Sequence, residues 1–510
     1  MNIAAFPFLL PFLTAILLLI WRNPSDLRRN FILASVIGQN ILAGWLIYEI
    51  FTTSKPIVLA IGGWTPPLGI VLVVDLLAAI MLALSSLMLL GCVLFRYVSV
   101  SSSIEHPLRE PLVQFLVAGI NLTFITGDLF NLFVAFEIML IASYALLTLE
   151  ADDWDVKQAF PYLSINLVGS ALFLIAVGFA YGIFGTLNIA DIANTALSMQ
   201  DDPRVTYLGL MLAVVFGIKA GLFPLYFWLP NSYPILPASL GALYSGMLTK
   251  VGVYVLLRTF TTMLPESLSG VHLLLAWMAG FTMIFGVLGA ISRNFVRGIL
   301  SYHILSQIGY MVLAIGLFTE RAIAACIFYI IHHIIVKATL FLIGGAITCL
   351  NGTDNLKKTG GLWAVAPVLG VCFLIQAMSL AGIPPLSGFW GKYLIFVEAV
   401  IKGQTVGGYY YFLVAAAVLA GILTLYSMLK IWNEAFWKPA QPGHEPRLDD
   451  KRWVGMTAVI SFFCVISLAI GLGAEGVFQV ADKAASMAMD QDMYIQAVLS
   501  ARGKGVAPSP

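Results

Sequence analysis

Five ionisable residues lie inside long apolar stretches of the sequence: Glu137, Lys219, Lys250, Lys337 and Lys392. A lysine at the depth of a bilayer costs about 2.5–3.5 kcal/mol on insertion scales, so it is retained where it has a function. A lysine amine can accept a proton and pass it on, and a nearby carboxylate controls this step by holding the lysine charged. Two unit charges 4 Å apart interact by roughly 4 kcal/mol at an effective dielectric constant of 20. These residue types therefore predict conditional proton transfer.

The same residues allow two structural interpretations. Lys219 and Lys392 lie beside proline-rich interruptions, where a lysine stem can run along its helix until the ammonium group reaches water. Glu137 can form an ion pair that serves only to stabilise its own charge. Snorkelling explains Lys250 and Lys337 poorly, because several helical turns separate them from either membrane surface.

Three histidines are candidate relay residues between the lysines, because imidazole titrates near about pH 6.5. His333 and Lys337 are four residues apart and share one helical face, whereas His332 points elsewhere. His303 lies four residues before Gln307 in another apolar stretch. For each histidine the alternative is a hydrogen-bonded position in the core. We expect no metal site, since no further cysteine or carboxylate lies at ligand spacing.

Two aspartates are weaker candidates. Asp75 lies in an apolar stretch, and it is interpreted either as a second proton site or as the partner of a basic residue on another subunit. Asp128 lies at a tight turn before the stretch that holds Glu137, where a carboxylate typically caps the first helical turn. We therefore expect a structural role for Asp128 and leave both interpretations of Asp75 open.

Proline-rich interruptions divide two of the apolar stretches. Pro224 comes shortly after Lys219, and Pro384 and Pro385 come shortly before Lys392. Proline ends a helix and leaves carbonyl groups that only a polar cavity or neighbouring protein can satisfy. Broken helices beside ionisable side chains are typical of transport sites.

The composition places the chain in a membrane. Sixty per cent of the 510 residues are hydrophobic, 10% are charged, and the mean hydropathy is +0.94. A net charge of +1 gives no indication of nucleic-acid binding. The five cysteines are isolated in apolar runs, so we expect no metal or iron–sulfur cofactor.

An apolar helix needs about 20 residues to cross a bilayer. On that basis the sequence predicts an all-α polytopic membrane protein with about 14 transmembrane helices. The predicted spans are residues 3–21, 30–51, 69–95, 111–127, 129–149, 160–182, 205–222, 236–259, 270–291, 299–317, 322–349, 365–401 (interrupted), 409–432 and 453–473. No connection is long enough for a catalytic domain, so we expect a transporter subunit and not an enzyme.

Two sequence matches indicate an internal repeat. Residues 220–225 resemble 381–386, and residues 243–248 resemble 425–429. Broken spans 7 and 12 therefore correspond, which predicts two five-helix units, spans 4–8 and 9–13, in opposite orientations. Chance similarity between apolar segments is the alternative. The resulting division of the chain is 1–106, 107–260, 261–435 and 436–510.

Basic residues favour one orientation in the membrane. Connections after odd-numbered spans contain 15 lysines and arginines, against 8 on the opposite side. Because cytoplasmic connections are enriched in these residues, both termini are expected on the non-cytoplasmic side.

Three motifs combine the candidate residues at fixed spacing: Lys219-x₄-Pro224-x₃-Trp228-Leu-Pro, Lys250-x-Gly252-x-Tyr254-x₂-Leu257-Arg258 and His333-x₃-Lys337-Ala338. In these motifs the sequence resembles the antiporter-like membrane subunits shared by respiratory complex I, membrane-bound hydrogenases and Mrp multisubunit Na⁺/H⁺ antiporters. The resemblance covers about residues 60–435 and implies a 14-helix fold with two inverted units. It implies the following roles: Glu137 and Lys219 as a first-half pair, Lys250 with His333 and Lys337 as a central relay, and Lys392 as an exit-side group.

The Mrp antiporters are the most similar branch, because Lys392 stands where the complex I subunit of nearest size typically has a glutamate. The resemblance implies a proton-translocating subunit of a bacterial Na⁺/H⁺ antiporter that works with other membrane subunits, without a cofactor, and couples inward proton flow to Na⁺ efflux. Two alternatives stay open. One is the pumping subunit of a redox-driven complex of the complex I or hydrogenase type, and the other is a scaffold that conducts no ions.

Overall fold

A computed structural model of the chain describes residues 3–101, 105–265, 268–440, 442–443, 445–448 and 450–501. Arg502 and Lys504, which belong to the basic residues counted above, lie outside this part. The helices are α1 Phe6–Ile20, α2 Asp26–Thr53, α3 Leu76–Ser99, α4 Arg109–Ile125, α5 Leu129–Thr148, α6 Asp153–Phe184, α7 Ile189–Ala196, α8 Pro203–Ala220, α9 Leu229–Ser232, α10 Ala238–Leu243, α11 Thr249–Arg258, α12 Ser269–Ser292, α13 Val296–Leu317, α14 Glu320–Asn351, α15 Leu362–Val365, α16 Pro367–Ala381, α17 Ser387–Thr405, α18 Tyr409–Ile431, α19 Asp450–Leu472, α20 Ala474–Met489 and α21 Gln491–Leu499. Single π-helical turns are Tyr244–Leu248, Thr259–Met263 and Trp432–Trp437, and 3₁₀ turns are Ile3–Ala5 and Ile61–Gly63.

The prediction of a polytopic helical membrane protein is confirmed. Within the described residues, 12 helices are long and apolar enough to cross a membrane by length and composition. The remaining two predicted spans coincide with α4, which has 17 residues, and with the broken pair α16 and α17. The number of 14 crossings therefore stays a prediction.

A short β-hairpin is a departure from the expected all-helical chain. Strands β1 (Ile57–Ala60) and β2 (Val71–Val74) pair antiparallel, and α3 begins at Leu76 instead of at residue 69. The run of Val and Leu before Asp75 was predicted as the start of the third span, since a short apolar run does not distinguish strand from helix. The connection at residues 183–204 likewise contains α7, and the tail folds into α20 and α21.

Three segments form the centre of the bundle. The windows of Ala238–Met263 and Glu320–Asn351 are wholly buried, and that of Val296–Leu317 is nearly so. By contrast, two thirds of the window in α6 and in α18 is not buried, so these helices lie at the periphery. The candidate lysines Lys250 and Lys337 therefore lie on the innermost helices.

Contacts between connections sort them into two opposite faces. On one, which we name the arginine-rich face, Arg29 pairs with Glu105 at 2.7 Å and Arg96 approaches Glu150 at 3.8 Å. On the other, the tail face, the side-chain amide of Gln491 donates to the Leu264 carbonyl at 2.9 Å. The described connections on the arginine-rich face include 21–25, 105–108, 149–152, 233–237, 293–295 and 352–361, and those on the tail face include 54–56, 126–128, 185–188, 264–265, 318–319 and 406–408. These are the two groups that alternating spans require.

One backbone contact occurs once on each face. Asp128 forms an antiparallel bridge with Asn188 on the tail face, and Phe295 forms the same bridge with Asn355 on the arginine-rich face. Each residue of the second pair follows its counterpart by 167 positions. The contact supports two repeats of opposite orientation.

A second contact repeats at the same spacing, inside the bundle. A β-carbon on Gly119 would lie 2.6 Å from the Met139 nitrogen, and one on Gly286 would lie 2.5 Å from the Ser306 nitrogen. In both places two adjacent helices touch main chain to main chain, which only glycine allows. The helix pairs α4–α5 and α12–α13 are therefore packed alike.

Candidate ion pathway

The first helix break follows α8. Gly221 adopts a left-handed conformation with φ 79°, and its N–H and that of Leu222 both donate to the Gly217 carbonyl at 2.9 Å. This hydrogen-bond pattern ends an α-helix by reversing the chain. Pro224 follows in a cis peptide bond with Phe223, and the helical course resumes at α9.

The second break has the same hydrogen bonds. Gly382, with φ 93°, ends α16, and its N–H and that of Ile383 both donate to the Met378 carbonyl at 3.0 Å. Pro384 and Pro385, joined by a cis peptide bond, precede the start of α17. The structure therefore has breaks at both places where proline indicated them.

Lys219 lies two residues before the first break and is 4% exposed. Its ammonium group donates to the Asn166 carbonyl at 3.2 Å and to the Ser170 hydroxyl at 3.3 Å, both on α6. The Phe136 ring lies 5.7 Å away on a third helix. The lysine thus faces the protein interior and does not snorkel to a surface.

Glu137 lies on α5, half-buried, and within the described residues it forms no ion pair. It interacts electrostatically with Lys219 but does not contact it directly, and its buried Oε1 has no hydrogen-bond partner in the described part of the chain. Phe130 and Ile141, on the same face of α5, are 47% and 63% exposed. The carboxylate therefore sits at the edge of the bundle.

Lys250 is fully buried on α11. Its ammonium group donates to the Ser245 carbonyl in the π-helical turn that precedes this helix. A π-turn displaces carbonyls from their usual partners, and such turns often occur at functional sites. The turn supplies the only hydrogen-bond acceptor for this lysine among the described residues.

His333 and Lys337 are fully buried on one face of α14, as their spacing predicted. Within the described residues, neither ring nitrogen of His333 nor the amine of Lys337 has a hydrogen-bond partner. His332 instead points toward the second break, where its Nδ1 lies 2.8 Å from the Ser387 hydroxyl. Buried polar groups are nearly always hydrogen-bonded, so unpartnered groups mark a place for water or a proton carrier.

His303 and Gln307 share the inward face of α13. Nε2 of His303 lies 2.6 Å from the Ser427 hydroxyl, and Gln307 accepts a hydrogen bond from Tyr329. Both side chains are fully buried. His303 therefore has one fixed partner and one unpartnered nitrogen, Nδ1, in the described part of the protein.

Lys392, 4% exposed, reaches back across the second break. Its ammonium group donates to the carbonyls of Leu380 at 2.8 Å and Ala381 at 3.1 Å, and it lies 4.5 Å from the Tyr310 ring. These carbonyls are the last of α16, where a positive charge interacts favourably with the helix dipole.

The structure brings most of the candidate residues into one group. His333 interacts electrostatically with Lys250, Lys337, Lys392 and His332, and Lys337 interacts with Lys250. Lys219 and Glu137 form a separate pair. The two groups meet where α11 touches the first break.

The expectation for Asp75 was wrong about its position. Asp75 precedes α3 and caps it, accepting a hydrogen bond from the Ala78 N–H at 2.9 Å. Its ion-pair partner is Arg258 of the same chain and not a residue of another subunit. This pair lies on the tail face, where Arg258 also contacts the Tyr254 hydroxyl at 3.1 Å.

Asp128 caps α5, as predicted, by accepting a hydrogen bond from the Asn131 N–H at 2.8 Å. Burial raises the pKa of the Asp128 carboxyl, and the backbone donors of Asn131 and Phe130 partly offset this effect.

Sequence reasoning missed the polar residues that surround Lys219. Tyr162, Asn166 and Ser170 are each buried to at least 93% and lie four residues apart on α6. Their spacing within an apolar span was a detectable signal. The buried ion pair of Arg109 and Glu110, 2.6 Å apart, was also missed because it lies at a predicted span boundary.

A polytopic bundle with buried amines at two helix breaks has the features of an ion-transporting membrane protein. Residues 126–424 match the model of the family described as NADH:quinone oxidoreductase/Mrp antiporter, transmembrane. The chain is 41% identical to a protein from Alkalihalophilus pseudofirmus that is named as the D component of a Na⁺/H⁺ antiporter, over 98% of this chain and 99% of that one. It is 38% identical to the protein of that name from Bacillus subtilis, with the same coverage.

The fold is similar to a chain in the structure of the Mrp complex from Dietzia sp. DQ12-45-1b. The TM-score is 0.89 at 32% identity, and the match covers 98% of this chain and 100% of that one. The chain therefore belongs to the NADH:quinone oxidoreductase/Mrp antiporter membrane family, and its relatives are transporter subunits and not catalytic enzymes.

Proposed function

We propose that the chain is the subunit of a bacterial multisubunit Na⁺/H⁺ antiporter that carries protons across the cell membrane. The observation that carries this proposal is the unpartnered amine of Lys337, buried beside His333 and within the field of Lys250. A fixed structural ion pair does not account for it. Sodium enters the proposal through the names of the relatives from A. pseudofirmus and B. subtilis.

The proposed path runs through Glu137, Lys219, Lys250, the pair His333 and Lys337, and Lys392. Adjacent amines in this path repel each other when both are charged, by roughly 4 kcal/mol at 4 Å and a dielectric constant of 20. Arrival of a proton on one amine therefore favours its release from the next, and His303 and His332 accept or donate protons from the side. Repulsion of this kind moves protons in single steps.

Glu137 connects this path to partner subunits. A carboxylate that is half-buried, on a face with exposed Phe130 and Ile141, would otherwise meet lipid at an unfavourable cost. A membrane subunit that covers this face of α5 would shield Glu137 and supply the charge that controls Lys219. Fold similarity to a chain of an Mrp complex supports such an assembly.

The arginine-rich face is proposed to lie in the cytoplasm, with both termini on the opposite side. The surplus of basic residues supports this orientation. Inward proton flow then starts at the tail face and ends at the arginine-rich face. Residues 107–260 and 261–435 would act as the two inverted units, with 1–106 and 436–510 as flanking segments.

Substitution of either member of the first-half pair tests the proposal. Lys219→Ala and Glu137→Ala should abolish Na⁺/H⁺ exchange by the complex in vesicles while leaving its assembly intact. Lys157→Ala, which removes an exposed lysine from α6, should have no effect. Exchange at the wild-type rate by either of the first two variants would refute the assigned roles.

A redox-driven complex is the second candidate, because the matched family includes NADH:quinone oxidoreductase. Nothing in the described site provides for a redox cofactor. Purification of the native complex distinguishes the two candidates, since flavin or iron–sulfur partners would support the redox complex and small membrane partners alone would support the antiporter.

A further inference from the structure

One face of α6 carries polar side chains over most of its length. Asp155, Tyr162, Asn166 and Ser170 recur at intervals of four or seven residues, which places them on the same side of the helix. The last three are buried, although α6 as a whole lies at the periphery. At about 1.5 Å per residue the row extends roughly 20 Å, from the arginine-rich face to Lys219.

A cavity lies at the outer end of this row. It has a volume of about 90 Å³, and Asp155, Glu150 and Arg109 are among its lining residues. Arg109 is 98% buried, and its Nε has no hydrogen-bond partner in the described part of the chain. One water molecule takes up about 30 Å³ in the liquid, so the cavity can hold water that the unpartnered nitrogen would bind.

Hydroxyl groups connect the cavity end of the row with Lys219. The Tyr162 and Ser143 hydroxyls lie 2.6 Å apart, and the Tyr244 hydroxyl donates to the Ser143 carbonyl at 2.7 Å. The Asn166 amide donates to the Tyr162 carbonyl at 2.8 Å, and the Asn166 carbonyl in turn accepts from Lys219. The buried groups between the cavity and Lys219 are thus polar.

The second half of the protein carries titratable groups at the matching positions. Tyr329, His333 and Lys337 follow Tyr162, Asn166 and Ser170 by the 167 positions that relate the repeated contacts. On α14 this face holds the central candidate residues. The corresponding face of α6 is therefore placed for proton transfer, but with hydroxyl and amide groups that do not store a charge.

We propose that this face of α6 is the route by which protons pass between Lys219 and the arginine-rich face. The proposal rests on the proposed function. Asp155 and Glu150 exchange protons with bulk water at the cavity. Within the row, each hydroxyl accepts a proton on its oxygen as it passes its own proton to the next acceptor. The Lys219 amine gains or loses the proton at the inner end, and no bond other than O–H and N–H bonds changes.

Substitutions of the hydroxyl pair test the route in the assembled complex, reconstituted in vesicles. Tyr162→Phe and Ser143→Ala should each lower the exchange rate at least about tenfold, which is the low end for loss of a proton-transfer group. Tyr181→Phe, an exposed phenol on the same helix, should leave the rate unchanged. Subunit composition and melting temperature of each variant separate loss of transfer from loss of folding.

The cavity is tested from one side of the vesicle at a time. Asp155→Asn should shift the proton concentration that gives half-maximal exchange when pH is varied at the arginine-rich face, but not at the tail face. Asp152 and Arg297 also face Asp155 and remain in place. Asp153→Asn removes the same charge from an exposed neighbouring position and should shift neither value.

The outcomes separate this route from the proposed function. If Lys219→Ala is inactive and Tyr162→Phe exchanges at the wild-type rate, the route is wrong and the function stands. An unshifted Asp155→Asn variant would overturn the cavity as the access point. If Lys219→Ala itself retains exchange, the proposed function fails.

Discussion

The main chain of Ala220 lies directly against Gly252, so that a β-carbon at position 252 would come within 2.5 Å of the Ala220 nitrogen. The same atom would lie 2.8 Å from the Lys219 carbonyl carbon. This contact joins the end of α8, just before the first break, to the helix that carries Lys250. The spacing between two candidate lysines is therefore fixed by an approach of two backbones that only glycine permits.

Gly252→Ala should separate the two helices and lower Na⁺/H⁺ exchange strongly. Overpacking of a closely packed contact costs about 1–3 kcal/mol, so the complex should still assemble with a lower melting temperature. Gly178→Ala on α6, where a β-carbon meets nothing within 4 Å, is the matched control and should behave as wild type. Unchanged exchange by Gly252→Ala would show that the spacing is not critical.

Lys337→Met should abolish exchange without lowering stability. The Lys337 amine has no hydrogen-bond partner among the described residues, and its removal relieves the cost of a buried charge. The melting temperature of the complex should stay the same or rise. A large fall in melting temperature would indicate a structural role that the contacts do not show.

Features with a local signature were predictable from the sequence. Lys250 and Lys337 were identified as deeply buried because each stands alone in an apolar stretch. The breaks beside Pro224 and Pro385 were predicted because proline ends a helix whatever its surroundings. In these cases the physical cause lies within a few residues of the feature.

Features that depend on distant partners were not predictable. Asp75 pairs with Arg258, which is 183 residues away, so no local pattern identifies the pair. Glu137 was expected to pair with Lys219, yet the two side chains interact only at a distance. The partners of Lys219 on α6 were missed because Asn166 and Ser170 are neutral, and neutral polar residues do not stand out in an apolar span.

Asp75→Asn tests whether Asp75 has a structural role. Breaking a buried ion pair from one side costs about 3–5 kcal/mol, because Arg258 is left without its counter-charge. The α11 end also holds the tail, since Thr262 donates to the Ala488 carbonyl at 2.9 Å. We expect less assembled complex and faster proteolysis of α20 and α21, with a normal exchange rate per complex. Loss of exchange in a fully assembled Asp75→Asn complex would restore Asp75 as a proton site.

Lys392→Met should lower stability and exchange together, in contrast to Lys337→Met. Lys392 donates to the last carbonyls of α16, at Leu380 and Ala381, and its loss leaves them without this donor beside the second break. Loss of such hydrogen bonds to a charged group costs about 1.5–3 kcal/mol, so the melting temperature of the assembled complex should fall. Lys392→Arg keeps the charge and should recover most of the stability, whereas an amine with a proton-transfer role should not be replaced by a guanidinium that stays protonated. Stability restored with exchange still absent would separate the two roles of this lysine, and full exchange by Lys392→Arg would show that its role is structural alone.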